Sequence, residues 1–310
     1  MLEIFHQENG VFCPCDDIKE GTWINLVSPT EEELNKVVQE FDIFPDFIRY
    51  PLDMEETSRV EKEEDQLLII VKVPYPQKDE EVVRFETIPL GIILKDDVMI
   101  TISPVETEAT KQLLGQRRGN VQIINRVRFI FNIFLNIASN YLKQLRLIDR
   151  LMDEYEAELH RSMRNKELIK LLNLEKSLVY FNTSLKANDL VMARLGSGRY
   201  LPITDEDEDI LEDAQIENQQ AIEMAKIYSD ILAGMMDAFA SVISNNLNIV
   251  MKFLTAVTIV LMLPNLIASI YGMNINLPLQ DNPYAFGILM GISILLSLFV
   301  VYIFIKKKMF

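Results

Sequence analysis

Two long uncharged stretches lie near the end of the chain, at residues 253–271 and 284–305. The second has 22 residues. At a rise of about 1.5 Å per residue it can cross a hydrocarbon core of about 30 Å. Pro264 lies within the first stretch, where a membrane helix tolerates a proline as a kink. Between them, residues 272–283 carry a glycine and polar side chains typical of a short loop. The pattern predicts a two-helix transmembrane hairpin.

Positive charge lies on one side of this hairpin. Lys306, Lys307 and Lys308 directly follow the second stretch, and Lys252 directly precedes the first. Because the cytoplasmic flanks of membrane spans are enriched in Lys and Arg, both termini are expected in the cytoplasm and the loop outside. The sequence therefore predicts a multi-pass protein of the cell membrane, in contact with lipid.

Polar side chains recur at alternating steps of four and three residues through the first span and the segment before it. This spacing is that of a bundled helix. The stripe is nearly continuous, with methionine at two of its positions, and consists of Asp237, Ser241, Ser244, Asn248, Met251, Thr255, Thr258, Met262 and Asn265. Such side chains at membrane depth face either a neighbouring helix or a water-filled path. The bulky amides of Asn248 and Asn265 favour a pore. Two spans cannot enclose one, so a pore requires a homo-oligomer.

Upstream, an apolar face continues the same period, and one uninterrupted helix is expected over residues 204–271. Thr204 and the acidic run at residues 205–209 mark its start, because negative charge is favourable at a helix N-terminus. The run is interpreted either as solvated capping or as carboxylates that hold divalent cations against a neighbouring subunit.

The rest of the chain mixes strands and helices, which predicts an α/β domain at residues 1–116 and a helical region of two long helices at 117–203. Apolar, β-branched runs at residues 23–26, 66–73, 87–94 and 98–102 are typical of strands. Ser28, Pro29 and Glu31 read as a capping box that begins a helix. No catalytic constellation or phosphate-binding loop is present, so the sequence does not predict an enzyme or a cofactor.

Charge is distributed unevenly. The net charge is −16, and of the 46 acidic residues only Asp281 lies beyond Asp237. An acidic chain of this kind disfavours nucleic acid as a partner and suits metal cations. Cys13 and Cys15 are read as ordinary reduced thiols rather than ligands of a soft metal, because the sequence offers no further ligands nearby.

The sequence resembles the CorA family of magnesium transporters. The resemblance rests on Tyr271, Gly272, Met273 and Asn274 at the exit of the first span, on the segment 248–255, and on the basic tail. It implies a funnel-shaped homopentamer with an α/β domain, a long helical stalk and the two-helix hairpin of residues 204–271 and 284–310. Magnesium would be both the substrate and a regulatory ligand.

The resemblance also implies roles for individual residues. Gly272, Met273 and Asn274 would select the hydrated ion. Asn248 would form a polar ring, and Met251, Leu254 and Met262 apolar constrictions. An acidic ring at the cytoplasmic mouth would come from Asp237. Regulatory Mg²⁺ would bind between subunits at Asp213, with Asp79 or Glu80 as its partner. The sequence departs from the family where Leu263, Pro264 and Asn265 follow Met262.

These observations predict a Mg²⁺ influx channel that is gated by cytoplasmic Mg²⁺. An amide ring can hydrogen-bond the water shell that Mg²⁺ releases reluctantly. A Zn²⁺, Ni²⁺ or Co²⁺ transporter of the same superfamily is the alternative. A membrane-tethered scaffold that conducts nothing is a further alternative, but it would have no use for a polar stripe in its first span.

Overall fold

A computed structural model describes residues 1–8, 11–15, 22–78, 83–96, 98–115, 125–162, 165–275, 277–279 and 282–307. It divides into an N-terminal unit, Met1–Ala233, and a C-terminal unit, Gly234–Phe310. Each unit is described by itself below.

A seven-stranded sheet forms the centre of the N-terminal unit, in the order β2-β1-β3-β7-β6-β5-β4. Neighbouring strands are antiparallel except β3 and β7, which are parallel. The strands are β1 Leu2–Glu8, β2 Val11–Pro14, β3 Thr22–Val27, β4 Arg59–Glu63, β5 Gln66–Lys78, β6 Val83–Lys95 and β7 Val98–Ser103. The four strands expected from apolar runs are confirmed as β3, β5, β6 and β7.

The helices of this unit cover both faces of the sheet. They are α1 Glu31–Phe41, α2 Pro45–Arg49, α3 Glu108–Gly115, α4 Arg126–Ser162, α5 Asn165–Gly196 and the first part of α6 Asp205–Tyr271. Ile24 belongs to a buried cluster with Leu34 of α1 and Phe47 of α2. The preceding residue of the strand, Trp23, points to the other face, where its ring lies 5.2 Å from that of Phe129 of α4. Successive side chains of a strand point to opposite faces, so β3 contributes to the core on both sides of the sheet.

Helix α1 begins later than the sequence predicted, so the assignment of Ser28 as its cap is wrong. Thr30 is the N-cap: its hydroxyl accepts from the Glu33 N–H at 3.3 Å, and the Glu33 carboxylate accepts from the Thr30 N–H at 2.9 Å. Ser28 has a φ of 44° and donates its N–H to the Ser103 carbonyl at 2.9 Å. Ser28 therefore belongs to a turn that ends β3, and the helix starts at Glu31.

Polar residues of α5 complete the hydrogen bonding of β5 and β6. The Asn188 amide accepts from the Lys72 N–H at 2.9 Å and donates to the Lys72 carbonyl at 2.7 Å. The Ser177 hydroxyl accepts from the Phe85 N–H at 3.0 Å. Since unpaired backbone groups are unfavourable away from water, these contacts fix where α5 lies on the sheet.

Helix α6 has 67 residues and confirms the single long helix expected from the sequence. It begins after Thr204, which exchanges hydrogen bonds with Asp207 through its hydroxyl and its N–H. Ala221, Ala225 and Leu232, from the predicted apolar face, are fully buried in the N-terminal unit. The C-terminal unit contains the remainder of α6 and helix α7, Ala285–Lys306.

Candidate ion pathway

Helices α6 and α7 are the two described helices that are long and apolar enough to cross a membrane. Their apolar side chains are mostly not covered by the chain itself. Of the described residues from 234 onward, Phe239, Ala256 and Ser293 are the buried ones. Large side chains such as Leu261 and Phe286 are 69% and 79% exposed. A unit with this distribution is suited to lipid or to further protein as its surroundings.

The structure places the whole predicted stripe on helix α6. At about 100° per residue, its members lie on one side of the helix. Their position shifts gradually around the helix, because their spacing of about 3.5 residues is slightly shorter than one helical turn. Every member is exposed in the single chain: Asp237, Ser241, Ser244, Asn248, Met251, Thr255, Thr258, Met262 and Asn265. Leu254, expected at a constriction, is 57% exposed. Their role in lining a pore remains a prediction, because the structure holds one copy of the chain.

The hydroxyl groups of the stripe have a common geometry. Ser241, Thr255 and Thr258 donate to the carbonyls four residues earlier, at 3.0, 2.7 and 2.8 Å. This back-bonding is common for Ser and Thr within helices. It occupies the hydroxyl hydrogen and leaves oxygen lone pairs exposed, so this face offers hydrogen-bond acceptors that suit a cation and its water.

Near its C-terminal end, α6 contains Pro264, which removes one backbone donor from the helix. Asn265 lines a cavity of about 630 Å³ within the C-terminal unit, together with Pro264, Tyr271, Phe286 and Ser293. The amide of Asn265 is thus at the edge of the stripe, next to residues of α7.

The loop after α6 presents Asn274 to solvent. The Gly272 N–H donates to the Ala268 carbonyl at 2.9 Å and the Met273 N–H to the Ile270 carbonyl at 3.2 Å, so two of the last four carbonyls of the helix have partners in the loop. The Tyr271 hydroxyl donates to the Pro278 carbonyl at 3.1 Å, which links the end of α6 to the middle of the loop. Met273 is 54% exposed, and Asn274 is exposed with it. Both side chains are free to meet an ion or another subunit.

The acidic run at the start of α6 contains a pairing that the sequence did not indicate. Arg128 of α4 donates from Nε to Asp207 at 3.2 Å and from a terminal nitrogen to Glu206 at 2.5 Å. Asp207 is 1% exposed. Burial by itself would raise the pKa of the Asp207 carboxyl, but hydrogen bonds from Thr204 and Arg128 outweigh it, and the pKa lies below its ordinary value. Within the run, Asp207 is therefore structural, whereas the Glu206 side chain is 78% exposed.

Of the predicted regulatory residues, Asp213 is the one that the structure describes, and it is exposed on α6. Asp79 and Glu80 lie outside the described residues. Within the described ranges, no three His, Cys, Asp or Glu side chains converge closely enough to hold a metal ion. Cys13 and Cys15 are half-buried and form no disulfide within the described residues.

Comparison with known proteins decides the family. The model of the CorA-like Mg²⁺ transporter protein family matches residues 19–307. The chain belongs to this family. The cobalt/magnesium transport protein CorA of Methanocaldococcus jannaschii is 34% identical over 288 residues, which cover 91% of this chain and 89% of that protein. The CorA family is one of membrane transporters, which agrees with the two apolar helices.

Solved structures agree over the whole fold. The complete structure of the CorA magnesium transporter from M. jannaschii superposes with a TM-score of 0.81 at 30% identity, covering 98% of this chain and 97% of that one. The cytoplasmic domain of ZntB from Vibrio parahaemolyticus superposes at 0.62, with 11% identity over 78% of this chain and 98% of its own. The second match shows a shared fold alone.

Proposed function

We propose that this chain assembles into a homopentameric channel that conducts Mg²⁺ into the cell. The observation that carries the proposal is the exposed polar stripe on α6, in a helix otherwise apolar enough to span a membrane. Polar groups at membrane depth are unfavourable against lipid, so they require protein or water as neighbours. The relative from M. jannaschii is named a cobalt/magnesium transport protein, which supports these divalent ions as the cargo.

Exposed apolar residues on α6 support assembly from several copies. Ile216, Ile227 and Ile231 of the N-terminal unit are 58%, 52% and 49% exposed and lie on one side of the helix. A side of this kind, on a helix whose next segment bears the polar stripe, suits packing against the same helix of other copies. Around a common axis, every copy would turn its stripe to the same path.

The pore entrance is assigned to the loop that contains Asn274. Mg²⁺ keeps several waters when it is bound. A ring of neutral amides hydrogen-bonds that water shell without stripping it, and softer ligands such as Cys or His are missing from the stripe. Further along α6, Asn248 would provide a polar ring, with Met251, Leu254 and Met262 as apolar constrictions.

The orientation follows from charge. Lys306 and Lys307 end α7, and the positive-inside rule places them, with the N-terminal unit, in the cytoplasm. The loop at residues 272–283 then faces outward, and the membrane potential drives the cation inward past it.

Gating is assigned to Mg²⁺ bound between subunits at Asp213, with Asp79 or Glu80 as its partner. A bound divalent cation would neutralise carboxylates that otherwise repel each other in a chain of net charge −16. Helix α6 contains both Asp213 and the stripe, so loss of the cation can loosen the ring and open the pore. Asp213→Ala should remove the inhibition of uptake by internal Mg²⁺, whereas Asp209→Ala should preserve it. Equal inhibition in both variants would exclude this gating site.

Uptake of Mg²⁺ into proteoliposomes tests the proposed function. Asn274→Ala should abolish uptake while the oligomer, measured by native mass spectrometry, survives. The matched control is Asn282→Ala in the same loop, whose side chain accepts from the Tyr284 N–H at 2.9 Å; it should retain most of the uptake. Co²⁺ is the second candidate cargo, and it should compete with Mg²⁺ for the same path. Absence of Mg²⁺ uptake by the intact protein would contradict the proposal.

A further inference from the structure

One cavity of the N-terminal unit combines positive charge with apolar walls. It has a volume of about 630 Å³ and lies between one side of α4 and the ends of β5 and β6. Lys143, Arg146 and Arg150 project from α4 at steps of three and four residues, which places them on one face of the helix. Apolar lining comes from Pro76, Val83, Leu147 and Leu151.

The charge of this cavity is unbalanced, unlike that of the other cavities described in this unit. The cavity at the start of α6 has three basic residues and three acidic ones. The cavity between α5 and α6 has Lys186 and Lys226 facing Asp189 and Glu223. A third, beside α3, has one lysine and two glutamates. The α4 cavity has three basic residues and no acidic residue among its described lining.

None of the three bases is used in a salt bridge with the part of the chain that the structure describes. Arg146 and Asp149 both lie close enough to Tyr228 to influence its pKa, which is raised mainly by burial. Three like charges close together on one helix repel each other, so an anion that neutralises them is favourable.

We propose that this cavity binds a nucleoside triphosphate. Guanidinium groups match phosphate oxygens with paired hydrogen bonds, and a lysine adds a point charge. The apolar walls suit a flat base, and the volume lies within the range of small-ligand sites. Free phosphate or a phospholipid headgroup would use the same three charges but would leave the apolar walls without a partner. The site goes beyond the proposed ion path and contains none of its residues.

Titration calorimetry with ATP, on the full chain in detergent, tests the proposal. Arg146→Gln with Arg150→Gln should weaken ATP binding by about tenfold or more, because each removes charge-assisted hydrogen bonds. The matched control, Lys186→Gln with Lys226→Gln, makes the same change of charge in a balanced cavity and should leave the affinity within about twofold. Inorganic tripolyphosphate should bind more weakly than ATP.

Several results would overturn the proposal. Intact protein that fails to bind millimolar ATP has no such site. An equal loss in the Lys186/Lys226 control would mean general attraction to positive charge. Binding that appears only after Asp79, Glu80 and Glu81 are replaced by amides would mean that these acids of the same chain pair with the three bases. If tripolyphosphate binds as tightly as ATP, the nucleoside contributes nothing to binding and the site is one for phosphate groups alone. Because binding is measured without transport, these outcomes are independent of the proposed channel.

Discussion

The two units of this chain differ in how far their apolar side chains are buried. In the N-terminal unit the apolar side chains of the central strands are covered completely: Leu68, Ile92 and Ile102 have no measurable exposure. In the C-terminal unit, most large apolar side chains are exposed, and three described residues are buried. The sheet of the first unit is therefore buried by the chain itself. In the described residues of the second unit, the chain covers little of either the apolar or the polar face, which suits a membrane as its surroundings.

Asparagines show the difference most clearly. Asn188 is 4% exposed and bonded to the backbone of Lys72 and to the hydroxyl of Ser58. Asn248 is exposed on α6. The same amide therefore stabilises the fold in one unit and is available to a partner or to water in the other. Substitutions should separate these roles.

The largest effect is expected for Asn188→Leu. It leaves the Lys72 N–H and carbonyl with one partner fewer in a buried place, and should lower the free energy of unfolding by about 3 kcal/mol. Asn182→Leu on the same helix is the control, because its Oδ1 is buried without a hydrogen bond and leucine removes no described contact there. Urea unfolding followed by the fluorescence of Trp23, the only tryptophan, reports on this unit. Similar stability of both variants would contradict the role of Asn188.

A smaller loss is expected for Asp207→Asn, which weakens the bonds to Thr204 and Arg128 at the start of α6. The free energy of unfolding should fall by about 1–2 kcal/mol at neutral pH. Because the pKa of Asp207 is lowered by folding, its stabilisation is fully present above the ordinary carboxyl pKa of about 4 and is lost as the pH falls through the folded value. The variant should lose part of this acid sensitivity. Asp209→Asn, at an exposed position, should keep it.

In the C-terminal unit, Asn248→Ala should leave unfolding of the N-terminal unit unchanged. It should reduce Mg²⁺ uptake by about tenfold, because the hydrated cation loses one ring of polar groups along its path. Asn246→Ala is the control. It lies two residues away, about 200° around the helix, outside the stripe. Equal uptake by both variants would mean that the stripe does not face the ion.

The smallest effect should come from an exposed ion pair of the N-terminal unit. Arg49 and Glu31 lie 3.2 Å apart, but their side chains are 59% and 72% exposed. Arg49→Gln should change the free energy of unfolding by less than about 0.5 kcal/mol, because water and salt screen such pairs. A loss comparable to that of Asn188→Leu would show that the stability of this unit does not depend on its buried contacts.

Features with a strong period were predictable from the sequence. The apolar runs of β5, β6 and β7, the single helix over residues 205–271 and the two spans follow directly from burial in a sheet, a bundle or a membrane. The motif at residues 271–274 predicted the CorA family, which the comparisons confirm. Each of these signals is local in the sequence.

Contacts between distant residues were not predictable. Arg128 and Asp207 are 79 residues apart, and nothing in either segment indicates the other. Strands β1 and β2 were missed because Leu2–Glu8 carries two charged residues and no clear alternation. The start of α1 was misplaced because two overlapping capping boxes fit the sequence, and only the turn at Ser28 decides between them. Pairing of Asp213 with Asp79 or Glu80 concerns different copies of the chain and stays a prediction.

The central claim is that the stripe on α6 lines the ion path, and block of Mg²⁺ uptake by Cd²⁺ tests it most directly. In a background with Cys13 and Cys15 replaced by serine, Thr255→Cys would place a thiol on the stripe and Val257→Cys a thiol on the opposite side, about 200° away. Thiolates bind soft metals tightly. The account predicts that Cd²⁺ blocks uptake by the Thr255→Cys protein and spares the Val257→Cys protein. Block of the Val257→Cys protein alone, or of neither, would contradict it.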